Sequence, residues 1–164
     1  MVGVLVAAAA IALSACGSTT TASSTTTTTT TTSTTMAPTV TNLTVTPMIR
    51  TSLLAAGAAL HQLPVTDYTG LLPGVTYYAY DTSTGTYWAG AALVPSSTST
   101  PAQVANQDDG SYLIFKRTAH GTWVAYNDGL GTIAGTSCSI VVPATVRMVW
   151  HWVLTAPCGG PPPG

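Results

Sequence analysis

An α+β fold is predicted for this chain: one N-terminal helix packed on an antiparallel meander sheet of about four to six strands. Two observations carry that reading. One stretch around position 50 repeats apolar residues at helical spacing, and the chain beyond position 70 breaks into short Tyr-, Trp- and Val-rich runs separated by turn residues. A third observation sets the scale. Of 164 residues, roughly 115 remain for a fold once an N-terminal apolar run and a Ser/Thr tract are set aside, which suits one domain with one core.

The helix opens at Thr46-Pro47. A Thr hydroxyl can accept from an orphan N–H of the first turn, and Pro at the first helical position gives up only an N–H that has no partner within the helix. Ile49, Leu53, Ala56, Leu60 and Leu63 then draw one apolar stripe, and Pro64 ends it. Gly57 weakens the helix yet admits a close neighbour. Residues 75–80 and 86–94 are expected to form a hairpin across Asp81-Thr82-Ser83-Thr84-Gly85. Residues 95–101 read as a polar loop. Residues 102–107 and 111–117 are expected to form a second hairpin with a type I′ turn at Asp109-Gly110, and 122–126 continues the meander. Gly85-Thr86-Tyr87-Trp88-Ala89 and Gly121-Thr122-Trp123-Val124-Ala125 echo one another, which reads as shared turn chemistry. A Gly-rich loop follows at 127–137. Residues 144–154 fit two patterns. Val146, Met148, Trp150 and Trp152 alternate as in a strand, whereas Pro143 followed by Val146, Val149, Trp150 and Val153 suits a short helix; a strand is favoured for the end of this segment.

Charge is scarce: four basic and five acidic residues, with no Glu, all lying between Arg50 and Arg147. A net charge of −1 with scattered cations argues against nucleic-acid partners, which need clustered Lys and Arg to displace phosphate counterions. From Ser18 to Thr35 every residue except Ala22 is Ser or Thr. Such a tract has nothing to bury against the entropy of ordering, so it is expected to be a disordered tether. Extended to Thr46 it has a coil dimension of about 30 Å and a full reach of about 100 Å.

The apolar run at 2–15 is shorter than the roughly 20 residues a membrane span requires and matches the h-region of an export signal, about 7–15 residues. It ends in Leu13-Ser14-Ala15-Cys16, which resembles the lipobox of bacterial lipoprotein signal peptides. The resemblance covers residues 1–16 only, and no Lys or Arg precedes the apolar run as export signals normally have. The Ala-, Thr-, Gly-, Val- and Pro-rich composition is similar to that of actinobacterial proteins. The resemblance implies a signal peptide at 1–15, a lipidated Cys16 followed by the tether to 46, a single domain at 47–158 and a Gly/Pro tail at 159–164. The mature protein would then be held by lipid on the extracytoplasmic face of the cell membrane. With Cys16 acylated, Cys138 and Cys158 remain as a pair in an oxidising compartment. A C-terminal disulfide between them would close a loop of about 20 residues and stabilise by roughly 3 kcal/mol; free thiols or a metal pair are the alternatives. A helix followed by a meander is also similar to cystatin-like and NTF2-like layouts, an architectural likeness that implies no activity.

Several residues are candidates for chemistry. Asn106-Gln107-Asp108-Asp109-Gly110 could bind a hard cation or be a solvated turn, and Asn127-Asp128-Gly129 has the same two readings. His61 falls at the helix end and His120 in a turn. His151 lies between Trp150 and Trp152, where it could orient a ligand, or face solvent while the rings enter the core. Cys138 could be drawn as a nucleophile with His151, but disulfide pairing is the stronger use. No nucleophile elbow, zinc-protease motif or phosphate loop is present, and no metal or cofactor is expected. Tyr77, Tyr78, Tyr80, Tyr87, Trp88, Tyr112, Trp123 and Tyr126 fall on expected strands. Core use is their default, and an outward aromatic face for a ligand is the exception. The expectation is a non-catalytic binding or accessory lipoprotein of the cell envelope, acting through an envelope protein, polymer or small ligand. The alternatives are a small hydrolase using Asp108, Asp109 or His151, and a structural spacer.

Overall fold

In the computed structural model, residues 39–127 and 138–152 are described, and they belong to one unit, Met36–Gly164. The expected signal peptide, Cys16, the Ser/Thr tract at 18–35, Asp128 and nearly all of the Gly-rich loop, Cys158 and the tail lie outside the described residues. The fold is α+β. Helix α1, Pro47–Leu60, begins as expected: the Thr46 hydroxyl accepts from the Ile49 N–H at 3.3 Å, with Pro47 in the first turn. A 3₁₀ turn at Val65–Asp67 leads from the helix into the sheet. The strands are β1 Val40–Asn42, β2 Tyr68–Leu71, β3 Tyr77–Asp81, β4 Thr86–Pro95, β5 Tyr112–Thr118 and β6 Val124–Asn127. All pair antiparallel in the order β1-β3-β4-β5-β6, and β2 pairs with the far end of β4 beyond the reach of β3. No helix among the described residues is long and apolar enough to cross a membrane.

Four segments depart from expectation. The end of the expected disordered tether is ordered: Val40–Asn42 forms β1 against β3, Val40 is buried, and the Leu43 N–H donates to the Tyr78 carbonyl, so backbone pairing and apolar burial offset the entropy of ordering. Tyr68–Leu71, where no strand was expected, is β2 against the end of β4. Residues 102–107 are not a strand: α2, Thr100–Asp108, is a helix inserted between β4 and β5. Ser99 caps it by accepting from the Ala102 N–H at 3.3 Å, and Pro101 sits in its first turn. Gln103 Nε2 donates to the carbonyls of Ser96 and Ser97, and Asn106 Nδ2 to that of Leu93, tying the helix to the end of β4. Asp109-Gly110 is therefore a helix stop. Gly110, at φ +84°, occupies the left-handed position just past the cap instead of a hairpin turn. Residues 144–149 are likewise helical, forming α3, Ala144–Val149, and the chain turns at Trp150 and His151 where a strand was favoured. Burial explains the outcome. Val146 and Trp150, four residues apart, are both buried, whereas Met148, which alternation would place inside, is 52% exposed.

The helices cover the two faces of the sheet, so the core has two parts where one was expected. On the α1 face, Tyr78, Ala89, Phe115 and Ala125 lie in one cross-strand row and pack with Leu53 and Ala58. On the other, Ala79, Trp88 and Ile114 pack with Val142, Val146, Trp150 and Trp152. Strand β4 is sandwiched between them, which is why its centre reads as the near-continuous apolar run Ala89-Gly90-Ala91-Ala92-Leu93.

Candidate binding groove

The described residues cover the α1 face incompletely. Because α1 carries Ser52, Ala55, Ala56 and Ala59 where larger side chains could stand, a groove remains between it and the end of the sheet at β6. Its larger part holds about 450 Å³ and is lined by Met48, Ile49, Ala55 and Ala56 from the helix and by Arg117, Thr122 and Trp123 from the β5–β6 connection, among others. That volume falls in the range of small-molecule sites. A smaller hollow of about 240 Å³ continues along the helix. It shares Ala56 and Trp123 and adds Ala59, Leu60, Val124 and Ala125. Met48, 77% exposed, flanks the groove with apolar surface that the described residues do not bury.

Arg117 is the main polar feature of this groove. Cross-strand register places it opposite Tyr87, and the guanidinium carbon lies 4.2 Å from the Tyr87 ring centroid and 5.1 Å from that of Trp123. Tyr87 in turn stacks on Tyr78 and lies against Tyr80, and Tyr78 meets Trp123 edge-on. The cation is thus fixed by ring faces, and its Nε is buried with no hydrogen-bond partner among the described residues. Lys116, on the opposite face of β5, lies over the Trp88 ring at 5.3 Å. Both third positions of the Gly-Thr echo, Tyr87 and Trp123, thus contact one arginine. The repeat reads as turn chemistry in the sequence; in the fold it also builds an aromatic slot. Arg117 carries no motif of its own, and the echo flanking it is the signal by which it could have been found.

The residues singled out in the sequence lie elsewhere. Asp108 ends α2 and Asp109 caps it, both exposed. His120 is exposed in the β5–β6 connection. His151 is exposed in the turn after α3, at φ +58°, while Trp150 and Trp152 are core residues at 2% and 3% exposure, packed against Tyr77. The indole N–H groups of Trp88, Trp150 and Trp152 are buried without hydrogen-bond partners among the described residues. Asp109 lies near enough to His61 and Tyr68, on the α1 side, to influence both, so its helix and that of His151 sit on opposite faces of the sheet. The His61 Nδ1 and the Tyr68 hydroxyl are 2.6 Å apart. Burial pushes the imidazole below its ordinary value against the pull of Asp109, and pushes the phenol above its own, aided by Asp67 and Asp109. Among the described residues no three His, Cys, Asp or Glu side chains gather as metal ligands would.

Among the described residues, the acids with a surface role therefore collect at one end. Asp67, Asp108 and Asp109 lie by the C-terminal end of α1, and Arg117 lies by its N-terminal end. Asp81 is on the opposite face of the sheet from Arg117 and is engaged locally. Burial alone would raise its pKa, but hydrogen bonds from Ser83 and Thr84 more than offset that and hold the carboxyl below its usual range.

No protein-family model, curated protein or solved structure matches the chain.

Proposed function

We propose that this chain is a lipid-anchored, extracytoplasmic binding module of the cell envelope, non-catalytic, with the groove between α1 and the β5–β6 end of the sheet as its ligand site. The observation that carries the binding role is the groove itself: a volume suited to a small ligand, apolar walls and one fixed cation. The anchor rests on the Leu13-Ser14-Ala15-Cys16 lipobox resemblance. A disulfide between Cys138 and Cys158 is part of the same reading, since it requires the oxidising compartment that the anchor implies.

The anchor is tested by the mass of the N-terminal peptide from membrane-extracted protein. A peptide starting at diacylated Cys16, with the Cys16→Ala variant released from the membrane fraction, is expected; an unmodified peptide from soluble protein contradicts the reading. The site is tested by a photo-reactive residue at Ala55 in the membrane-extracted protein. It should form an adduct with an envelope component, and the adduct should vanish when Ala56→Trp fills the groove. Substituting Asp108, Asp109 or His151 with Ala should leave it intact. An adduct that survives Ala56→Trp and disappears in His151→Ala would move the site to the opposite face.

A further inference from the structure

The groove's charge and shape narrow its ligand to one chemical class, an inference that rests on the binding role just proposed. We propose that it takes a single-chain amphiphile with a carboxylate head, the head at Arg117 and the hydrocarbon chain along α1 toward Leu60 and Ala125. Four observations converge on this.

Arg117 is held in place before any ligand arrives. Its guanidinium lies against Tyr87 and Trp123, and its Nε is buried without a hydrogen-bond partner among the described residues. Planar N–H donors of this kind match a carboxylate, and a cation already fixed by ring faces loses little further freedom on pairing. The same end of the groove is reached by the first turn of α1 through Met48 and Ile49, and that turn contains no acidic residue. The helix dipole there, about half a positive charge, adds to the arginine. One guanidinium with that partial charge balances a monoanion better than a phosphate monoester carrying nearly two negative charges.

The other end has opposite chemistry. Ala56, Ala59, Leu60, Trp123, Val124 and Ala125 line the continuing hollow, whose only side-chain polar atom is the Trp123 indole nitrogen. From Ile49 to Leu60 the helix extends roughly 16 Å, enough for a medium-length alkyl chain to lie along the small residues. Asp67 and Asp109 stand beyond the apolar end, so a reversed amphiphile would bring its carboxylate toward Asp109 and away from Arg117.

The test is a titration of the full-length protein with dodecanoate, dodecanol, dodecyl phosphate and dodecyltrimethylammonium, each below the concentration at which it aggregates, followed by calorimetry. Dodecanoate should bind at least about tenfold more tightly than the other three. Arg117→Gln should lower dodecanoate affinity to that of dodecanol and leave dodecanol unchanged, Arg117→Lys should recover part of the loss, and a melting curve checks that each variant is folded. Equal binding of dodecanoate and dodecanol by the wild-type protein, abolished by Ala56→Trp, would keep the groove and overturn the carboxylate head. Tighter dodecyl phosphate would also overturn it. If none of the four binds, or if Ala56→Trp changes nothing, the carboxylate proposal falls together with the binding groove.

Discussion

Arg117 and His61 are polar side chains at opposite ends of α1, handled in different ways. Arg117 lies against two ring faces. His61 is partly buried beside Tyr68, and burial holds its imidazole below the ordinary value of 6.5, with Asp109 opposing. Below that value the unfolded chain binds a proton that the folded one resists. The contribution of His61 to stability is therefore present above pH 6.5 and shrinks as the pH falls through the window beneath it. Denaturant midpoints measured from about pH 7.5 to about pH 5.5 should fall in the wild-type protein and stay nearly level in His61→Gln. That range stays above the titration of Asp81, whose lowered pKa acts only below about 3.8. Parallel slopes for the two proteins would show that His61 is not responsible. His61 was legible in the sequence as a residue at the helix end. Its burial was not, because that depends on Tyr68 arriving from β2.

At the level of elements, two glycines let helix and sheet approach. A Cβ on Gly57 would stand 2.8 Å from a Leu93 methyl, and one on Gly90 would stand 2.5 Å from the Tyr112 hydroxyl and 3.0 Å from the Trp152 ring. In Gly57→Ala the gain in helix propensity, about 1 kcal/mol, offsets part of an overpacking cost of about 1–3 kcal/mol, and Leu93 can shift. Gly90→Ala has no such gain and meets a rigid indole, so it should destabilise by about 1–3 kcal/mol and by more than Gly57→Ala. Equilibrium denaturation of both variants decides this; equal losses would mean that Trp152 yields as easily as Leu93. The same scale shows what the sequence could and could not reveal. The cap and glycine of α1 are local signals, as is the β3–β4 hairpin, and all are legible in the sequence; the apolar stripe is legible only in part, because the helix stops at Leu60, short of Leu63 and Pro64, and Leu60 itself is exposed. The α2 segment departs from the hairpin expectation because Asp109-Gly110 terminates a helix as well as it turns a hairpin, and the helix start signal Ser99-Thr100-Pro101 lies within a stretch whose composition is that of a polar loop. In α3 the deciding fact was tertiary: a second sheet face required Val146 and Trp150 on one side.

At the level of the whole molecule, the sheet is covered on both faces but unequally. The α3 face is closed by Trp88, Trp150 and Trp152, whereas the α1 face keeps a groove because the helix carries small residues beside β6. That asymmetry could not be read from composition, which supplied the Trp and Tyr residues but not their distribution between faces. It also separates the two candidate sites, the His151 region after α3 and the groove beside α1. The most direct measurement is therefore the backbone amide spectrum of the full-length protein titrated with dodecanoate. Shifts concentrated at Ser52, Ala55, Ala56, Thr122 and Trp123 are the predicted result. Shifts confined to Trp150, His151 and Trp152, with the α1 residues unmoved, would contradict the account.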